Sequence, residues 1–383
     1  MRLLASLFYF GYFAAMGTLF PFLNLYYQQS GMTTEQIGVL AALPPLTVLV
    51  AAPLWGSLAD AFGLHRRLLP LTVFGTALPA LALTRVDTFP LLALCALAYA
   101  FFNAPIIPLA DNVALEILGD RRDEYGRLRI WGAVSYGITA VAAGGLADRL
   151  GMRTAFVGFA TLMALTGLVA LRLPAPSRLA RQAYLSALRG LSSNPRWLVF
   201  LAVVFLAGVS LAIYQNYLVI FMTGLGASAA LYGIAIAAAS VSELPVYALG
   251  QRLLRRLKPS GLLLAALAAF LVRGLIYSLI TDPAWAVAAQ LLHGLSFSAL
   301  WIAAVVYAAQ IAPRGLGASA LGIMNATQFG LAAAAGALVG ASVYALAGPA
   351  RTFQLAAGLA LVGLALFAAS ERRATEAAAS VAP

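Results

Sequence analysis

The charged residues of this chain are confined to short segments between long apolar runs, and this distribution constrains the fold more than any other feature. Of the 383 residues, 62% are hydrophobic and 10% are charged, which is far outside the range of soluble globular proteins. An apolar run of about 20 residues is long enough to cross a bilayer as an α-helix, so the chain has room for about twelve such helices. The sequence therefore predicts an all-α integral membrane protein with about twelve transmembrane helices.

The basic residues predict how the chain is oriented. Arginine and lysine accumulate in cytoplasmic loops, and with both termini in the cytoplasm most basic residues of this chain fall inside. The basic residues that fall outside are Arg85, Arg149, Arg153 and Arg351. The net charge of +11 does not indicate nucleic-acid binding, because these residues are spread over loops instead of one face of a domain. Lys258 is the only lysine, a bias typical of GC-rich genomes, which favours a bacterial inner membrane.

A polar segment at 174–196 divides the chain nearly in half. It contains prolines, serines and arginines. We predict an N-terminal six-helix bundle at 1–173, a cytoplasmic linker at 174–196, a C-terminal six-helix bundle at 197–371 and a cytoplasmic tail at 372–383. Residues 1–4 are basic and precede a long apolar run without a convincing cleavage site, which predicts an uncleaved first helix.

Several classes of function are not expected. Cys95 is the only cysteine and lies in an apolar run, so we expect neither a disulfide framework nor a thiolate metal site. The sequence has no G-x-x-x-x-G-K-[ST] loop, which argues against ATP-driven transport by this chain. No segment is long enough to form the extramembrane domain of a receptor or an enzyme. We expect no cofactor, no metal and no enzymatic activity.

Ionisable side chains within the predicted spans are the main functional candidates, because such groups are costly in a membrane. Asp111 and Arg129 could bind substrate or form a structural ion pair. Glu243 lies near the middle of the eighth predicted helix, where an unpaired carboxylate would take up a proton. Its alternative is a permanent ion pair with Arg273. His293 could tune this carboxylate or bind substrate, or it could simply be a core residue with its hydrogen bonds satisfied.

Uncharged residues within the spans add further candidates. Asn216 and Gln290 could line a substrate cavity, and equally they could hydrogen-bond one helix to another. Phe20 in the first helix could contact substrate, or it could serve in packing or as an interfacial anchor.

The segment GSLADAFGLHRR (56–67) resembles the signature loop between helices 2 and 3 of the major facilitator superfamily. Gly56, Asp60, Gly63 and Arg67 occupy the signature positions. Glycines allow a tight turn, and an aspartate there is available to a helix N-terminus and to arginines. The resemblance implies that these residues stabilise the closed cytoplasmic face. It also implies a parallel repeat of two six-helix bundles with the substrate near the midplane.

Three stretches resemble the lactose permease family of sugar–proton symporters. They are YFAAMGTLFPF (12–22), GVLAALPPLTVLVAAPLWGSLADAFGLHRRLL (38–69) and EYGRLRIWGAVSY (124–136). In this register Asp111 corresponds to the glutamate that binds the sugar, and Arg129 to the arginine that pairs with it. Tyr136 corresponds to the tryptophan that stacks on the sugar ring. The resemblance therefore implies that these three residues bind substrate.

The second half continues this resemblance with departures. Glu243, Arg273 and His293 correspond to the family's glutamate, arginine and histidine of helices 8, 9 and 10. Ser296 replaces the family's proton-carrying glutamate, and Gln290 replaces a lysine. The phrases SELPVY (242–247) and QLLHGLSF (290–297) are more similar to the related phenylpropionate and nucleoside symporters.

We therefore expect a monomeric proton-coupled symporter that imports a small polar or aromatic solute, such as a sugar, a glycoside, a nucleoside or an aromatic acid. Asp111 would serve both the substrate and the proton. The alternative is a proton-coupled multidrug exporter on the same fold. Exporters commonly carry an acid in helix 1, where this chain has only Asn24, and this difference favours the symporter.

Overall fold

The computed structural model describes residues 1–62, 65–119, 121, 124–174, 191, 193–313 and 316–381, which form helices joined by short turns, with no strand among them. The first eight α-helices are α1 (Arg2–Leu19), α2 (Leu23–Gln29), α3 (Thr34–Phe62), α4 (His65–Ala82), α5 (Phe89–Asn103), α6 (Ile106–Leu118), α7 (Tyr125–Leu150) and α8 (Arg153–Ala170). The remaining ones are α9 (Pro195–Gly224), α10 (Ala229–Leu279), α11 (Pro283–Gln290), α12 (Ala299–Ile311), α13 (Gly317–Asn325) and α14 (Ala333–Val381).

Nine helices in the described ranges are long and apolar enough to cross a membrane. Two of them contain an internal break with positive φ, α10 at Lys258 and α14 at Gly348. Proline follows each break, at Pro259 and Pro349, and proline suits the first turn of a new helix because its missing N–H is not needed there. Each broken helix is long enough for two crossings, and Arg67–Ala82 is a shorter apolar helix. The structure is therefore consistent with the predicted number of about twelve spans.

Contacts between backbones divide the chain into two compact units. The first contains Met1–Ala180 and Val219–Ser240, and the second contains Arg181–Leu218 and Val241–Pro383. In the first unit α1 packs against α7 and α8, α4 packs against α5 and α8, and α3 packs against α5. Because residues 219–240 pack with the first unit, the assignment of 197–371 to one six-helix bundle stays a prediction.

Proline interrupts two spans that the sequence predicts as continuous helices. A 3₁₀ turn at Phe20–Phe22, which contains Pro21, separates α1 from α2. The span from Phe89 to Leu118 is broken before α6, where Pro105 precedes the first residue of that helix. Proline has no N–H to continue the helical hydrogen bonds, which explains both interruptions.

The second unit contains two π-helical segments, Gly294–Ser298 and Ala326–Ala332. Such segments are rare and are often found at functional sites. The first follows directly after His293. Phe297 and Phe329 place the two segments next to each other, with ring centroids 6.4 Å apart.

The signature loop lies at the limit of the described residues. Gly56 and Asp60 belong to α3, but only their helical backbone is described, and Gly63 lies outside the described residues. Arg67 is exposed near the start of α4. The gating role of these residues stays a prediction.

Candidate substrate and proton sites

Arg273 is a buried cation held by neutral hydrogen-bond acceptors. It is 2% exposed. Its Nε donates to the Tyr277 hydroxyl at 3.0 Å, and its Nη2 donates to Gln290 Oε1 at 2.5 Å. Its Nη1 lies 2.9 Å from His293 Nδ1 and 3.3 Å from Ser296 Oγ. The predicted substrate residue Gln290 is therefore a partner of Arg273.

Two tyrosine rings complete the surroundings of Arg273. The guanidinium carbon lies 5.0 Å from the centroid of Tyr214 and 5.3 Å from that of Tyr277. A cation at this distance from a ring face is stabilised by the ring's negative π-electron density. The Tyr214 hydroxyl donates to the backbone carbonyl of Phe270 at 2.8 Å, which fixes the ring. Among the residues that the structure describes, no carboxylate binds Arg273 directly, and its charge is accommodated by these neutral groups.

His293 stands between Arg273 and Glu243. An arginine can only donate, so His293 Nδ1 is the acceptor, and the proton of the neutral ring is on Nε2. That Nε2 lies 3.4 Å from Glu243 Oε1, and Ser298 donates to the other carboxylate oxygen, Glu243 Oε2, at 3.1 Å. The alternative of a direct ion pair between Glu243 and Arg273 is therefore wrong, because the imidazole occupies the space between them.

A close helix contact brings Glu243 to His293. A Cβ atom on Gly294 would clash with the backbone at Ser242 and Glu243. The backbone N–H of Gly294 donates to Ser242 Oγ at 2.9 Å. The missing side chain of Gly294 therefore lets α10 approach the π-helical segment closely enough for the carboxylate to face the imidazole.

Asp111 is the centre of a second polar cluster, in the first unit. Its Oδ1 accepts hydrogen bonds from the hydroxyls of Tyr9 at 2.6 Å and Tyr125 at 2.7 Å. Arg129 Nη1 lies 3.2 Å from Oδ1 and 3.3 Å from Oδ2, and it also donates to the Tyr125 hydroxyl at 2.9 Å. Burial raises the pKa of Tyr125, which keeps this hydroxyl a donor at neutral pH. The structure thus joins Asp111 to Arg129, as predicted, and adds two tyrosines.

The Arg129 side chain is 41% exposed and keeps open donors. Its guanidinium lies 5.6 Å from the ring centroid of Phe13. Only Nη1 donates to the cluster, so Nε and Nη2 have no partner among the described residues. Among the described residues, Asp111 Oδ2 accepts only the longer bond from Arg129. An aromatic face, open guanidinium donors and an acceptor oxygen therefore lie together.

The other predicted substrate residues lie elsewhere. Tyr136 is half-buried and lies seven residues after Arg129 on α7, about 10 Å along the helix axis. Phe20 is exposed in the 3₁₀ turn, and Phe13 takes the place beside Arg129. The Asn216 amide donates to the carbonyl of Ala212 in its own helix at 2.8 Å.

A further contact joins α7 to the start of α10 within the first unit. Asp148 Oδ1 accepts from the backbone N–H of Ala229 at 2.8 Å, and Oδ2 accepts from that of Ala230 at 2.9 Å. Cβ atoms on Gly144 and on Gly233 would clash with the backbone of the opposite helix. A carboxylate at a helix N-terminus is stabilised by the free N–H groups and the helix dipole. We call this the Asp148 contact.

Sequence reasoning missed several of these residues, although some left a signal. Tyr125 precedes Arg129 by four residues and Tyr277 follows Arg273 by four, the spacing of helix neighbours. Asp148 stands in the last turn of α7, where an acid is unfavourable with the helix dipole and therefore indicates a partner elsewhere. Tyr9 gave no such local signal, because its partner lies on another helix.

The fold and the polar groups buried among apolar spans define a membrane transporter of the major facilitator superfamily. The MFS_1 like family model matches residues 3–355, and the chain belongs to this family. It is thus a secondary transporter, not an enzyme.

Curated relatives and solved structures agree with this assignment. The maltose permease of Geobacillus stearothermophilus is 30% identical over 342 residues, covering 87% of this chain and 85% of the permease. The probable 3-phenylpropionic acid transporter of Escherichia coli is 28% identical over 317 residues, covering 79% of this chain and 80% of the transporter. The crystal structure of the nucleoside transporter NupG aligns with a TM-score of 0.84 at 18% identity. It covers 96% of this chain and 98% of that one, and this likeness shows the fold.

Proposed function

We propose that the protein is a proton-coupled symporter that imports a small neutral polar solute with several hydroxyl groups. The observation that carries this proposal is the row of three side chains Arg273, His293 and Glu243 inside the second unit. Ionisable groups at such depth are functional candidates, and this row places a proton acceptor beside a neutral imidazole.

Glu243 is the proposed proton carrier. In the described arrangement, His293 Nε2 lies 3.4 Å from one of its carboxylate oxygens, and the Ser298 hydroxyl donates to the other. A proton on Glu243 would remove its negative charge and weaken its attraction for the Nε2–H. Protonation thus releases His293, and with it the π-helical segment that begins at Gly294. The released contact is the proposed link between the proton and the movement of helices.

Arg273 has a supporting role in this scheme. Its donors are occupied by Tyr277, Gln290, Ser296 and His293, so it has little capacity left for substrate. Its charge at 2.9 Å from Nδ1 opposes a second proton on the imidazole. In this scheme His293 stays neutral. It moves together with the π-helical segment when Glu243 is protonated, without carrying the proton itself.

The Asp111 cluster is the proposed substrate site. Open donors on Arg129 and an acceptor oxygen on Asp111 suit neighbouring hydroxyl groups, and the Phe13 ring suits an apolar sugar face. The negative charge of Asp111 disfavours a carboxylate substrate at this position. Among the relatives, the name of the maltose permease fits this chemistry better than that of the phenylpropionic acid transporter.

The Asp148 contact is the proposed outer closure. It joins α7, in the predicted N-terminal bundle, to α10, in the predicted C-terminal bundle. Alternating access requires that the two predicted bundles part on the side from which substrate enters. The two hydrogen bonds that the Asp148 carboxylate accepts and the glycine contacts would then break, while the signature residues would hold the cytoplasmic side closed. These residues are Gly56, Asp60, Gly63 and Arg67.

We further propose that the protein works as a monomer in the bacterial cytoplasmic membrane, with both termini inside and bundles at residues 1–173 and 197–371. The distribution of arginines supports this orientation. The small extent of the extramembrane segments supports the expectation that neither nucleic acid nor a cofactor takes part.

Gradient-driven uptake in proteoliposomes tests the proposal. Vesicles with purified protein and an imposed inward proton gradient are offered maltose, a nucleoside and 3-phenylpropionate. We expect accumulation of the hydroxylated solutes above the equilibrium level and its loss when an uncoupler removes the gradient. Glu243→Gln should equilibrate the solute without accumulating it, whereas the exposed control Glu35→Gln should behave as the native protein. Accumulation that survives in Glu243→Gln would refute the assignment of the proton.

A further inference from the structure

A cavity of about 400 Å³ opens where the end of α4 meets the start of α8. It is lined by Thr84, Arg85, Arg153, Thr154 and Val157. Two of the four basic residues that the sequence places outside the membrane thus converge on one cavity. Basic residues are sparse on the outer side of membrane proteins, so this convergence calls for an explanation.

The two arginines present unused positive charge to this cavity. Within the described part of the chain, neither Arg85 nor Arg153 forms an ion pair or a side-chain hydrogen bond. Asp87 is close in sequence but does not line the cavity. The hydroxyls of Thr84 and Thr154 already donate to backbone carbonyls, so the guanidinium groups are the donors on offer. Arginine recognises phosphate oxygens through its planar fork of donors.

An apolar stripe continues from the cavity along both helices. Val157, Leu165 and Leu168 are exposed on α8, and Leu78 and Leu81 are exposed on α4. From Val157 to Leu168 the helix rises about 16 Å, which matches the thickness of one leaflet, about half of the 30 Å hydrocarbon core. A free phosphate would use only the cavity, whereas a phospholipid would use the cavity and the stripe.

We propose that this cavity binds the phosphate of an anionic phospholipid in the outer leaflet, with its acyl chains along the stripe. Phosphatidylglycerol is the simplest bacterial lipid of this chemistry. Arg85 and Arg153 would hold the phosphodiester between them, and Val157 would contact the glycerol and the first acyl carbons. The inference rests on the proposed orientation but not on the identity of the transported solute.

Native mass spectrometry of the purified full chain tests this site. Protein is titrated with phosphatidylglycerol or with phosphatidylethanolamine, and the double variant Arg85→Gln/Arg153→Gln is compared with Arg149→Gln/Arg351→Gln. The control pair removes the other two outer arginines and so has the same net charge. One basic residue near an anionic lipid contributes roughly a fivefold preference, so the first double variant should bind phosphatidylglycerol roughly thirtyfold more weakly. The control should bind it as the native protein does.

The unfolding temperature is a second readout beside lipid binding. Added phosphatidylglycerol should raise the unfolding temperature of the native protein and of the control, but not that of Arg85→Gln/Arg153→Gln. Equal lipid binding by both double variants would overturn the proposal. If inorganic phosphate or glycerophosphoglycerol bound as tightly as phosphatidylglycerol, the site would be a free-anion site, and the lipid assignment would be wrong. Neither result depends on transport activity.

Discussion

The imidazole Nε2 of His293 lies 3.4 Å from a carboxylate oxygen of Glu243. Arg273 occupies the opposite ring nitrogen, and we propose that a change in protonation at Glu243 reaches the rest of the second unit through this contact. His293 directly precedes a π-helical segment, and such segments are rare and often found at functional sites. We propose that the contact links protonation of Glu243 to this backbone segment.

Replacing His293 tests whether its side chain bridges Arg273 and Glu243. His293→Leu leaves Arg273 Nη1 and Glu243 without their shared partner, and an unsatisfied buried group costs about 1–3 kcal/mol. We expect a lower unfolding temperature in detergent for His293→Leu. His293→Gln can accept from Arg273 and donate to Glu243, so it should unfold near the native temperature. Equal stability of the two variants would contradict the bridging geometry.

Asp111→Asn should weaken substrate binding. The amide keeps the shape of the side chain but loses the charge that Tyr9, Tyr125 and Arg129 satisfy together. A hydrogen bond from a substrate hydroxyl to the charged carboxylate contributes about 1.5–3 kcal/mol, so its loss corresponds to a Kd for the substrate that is roughly 10–100 times higher. Isothermal titration with the accumulated solute measures this change. Glu116→Gln, an exposed acid on the same helix, is the control, and an unchanged Kd in Asp111→Asn would place the substrate elsewhere.

Asp148→Ala should favour opening at the Asp148 contact. A lost helix cap costs about 1 kcal/mol, or roughly a fivefold change in the balance of states. Ala235, fully buried on α10, reports this opening as Ala235→Cys in a Cys95→Ser background. We expect a membrane-impermeant maleimide to label it about five times faster when Asp148→Ala is added, and no faster with Arg149→Ala. Slower or equal labelling would mean that the contact does not control access.

Much of the fold could be predicted from the sequence, because lipid leaves a long apolar run few alternatives to a spanning helix. The breaks at Lys258 and Gly348 fell between predicted spans for the same reason. The π-helical segment after His293 could not be predicted, since it depends on packing between helices. Gly294, for example, matters only because Ser242 approaches it.

The candidate sites could likewise be predicted only in part from the sequence. Asp111, Arg129, Glu243, Arg273 and His293 stood out because charge within an apolar span is rare. Which of these residues contact one another was harder to predict from the sequence. To decide against the alternative of a direct ion pair between Glu243 and Arg273, one had to know the depth of residues along three helices, and the structure places the imidazole between them. Residues such as Tyr9 and Tyr214, which complete the polar clusters, are chemically ordinary in sequence and gain their role only from the contacts.

The most direct test of the account is proton movement by purified protein when the transported solute is added in weakly buffered detergent solution. We predict that solute binding causes proton uptake in the native protein and that Glu243→Gln binds the solute with no change of pH. Proton uptake of equal size in Glu243→Gln would contradict the assignment of Glu243 as carrier. Binding without proton movement in the native protein would contradict proton coupling altogether.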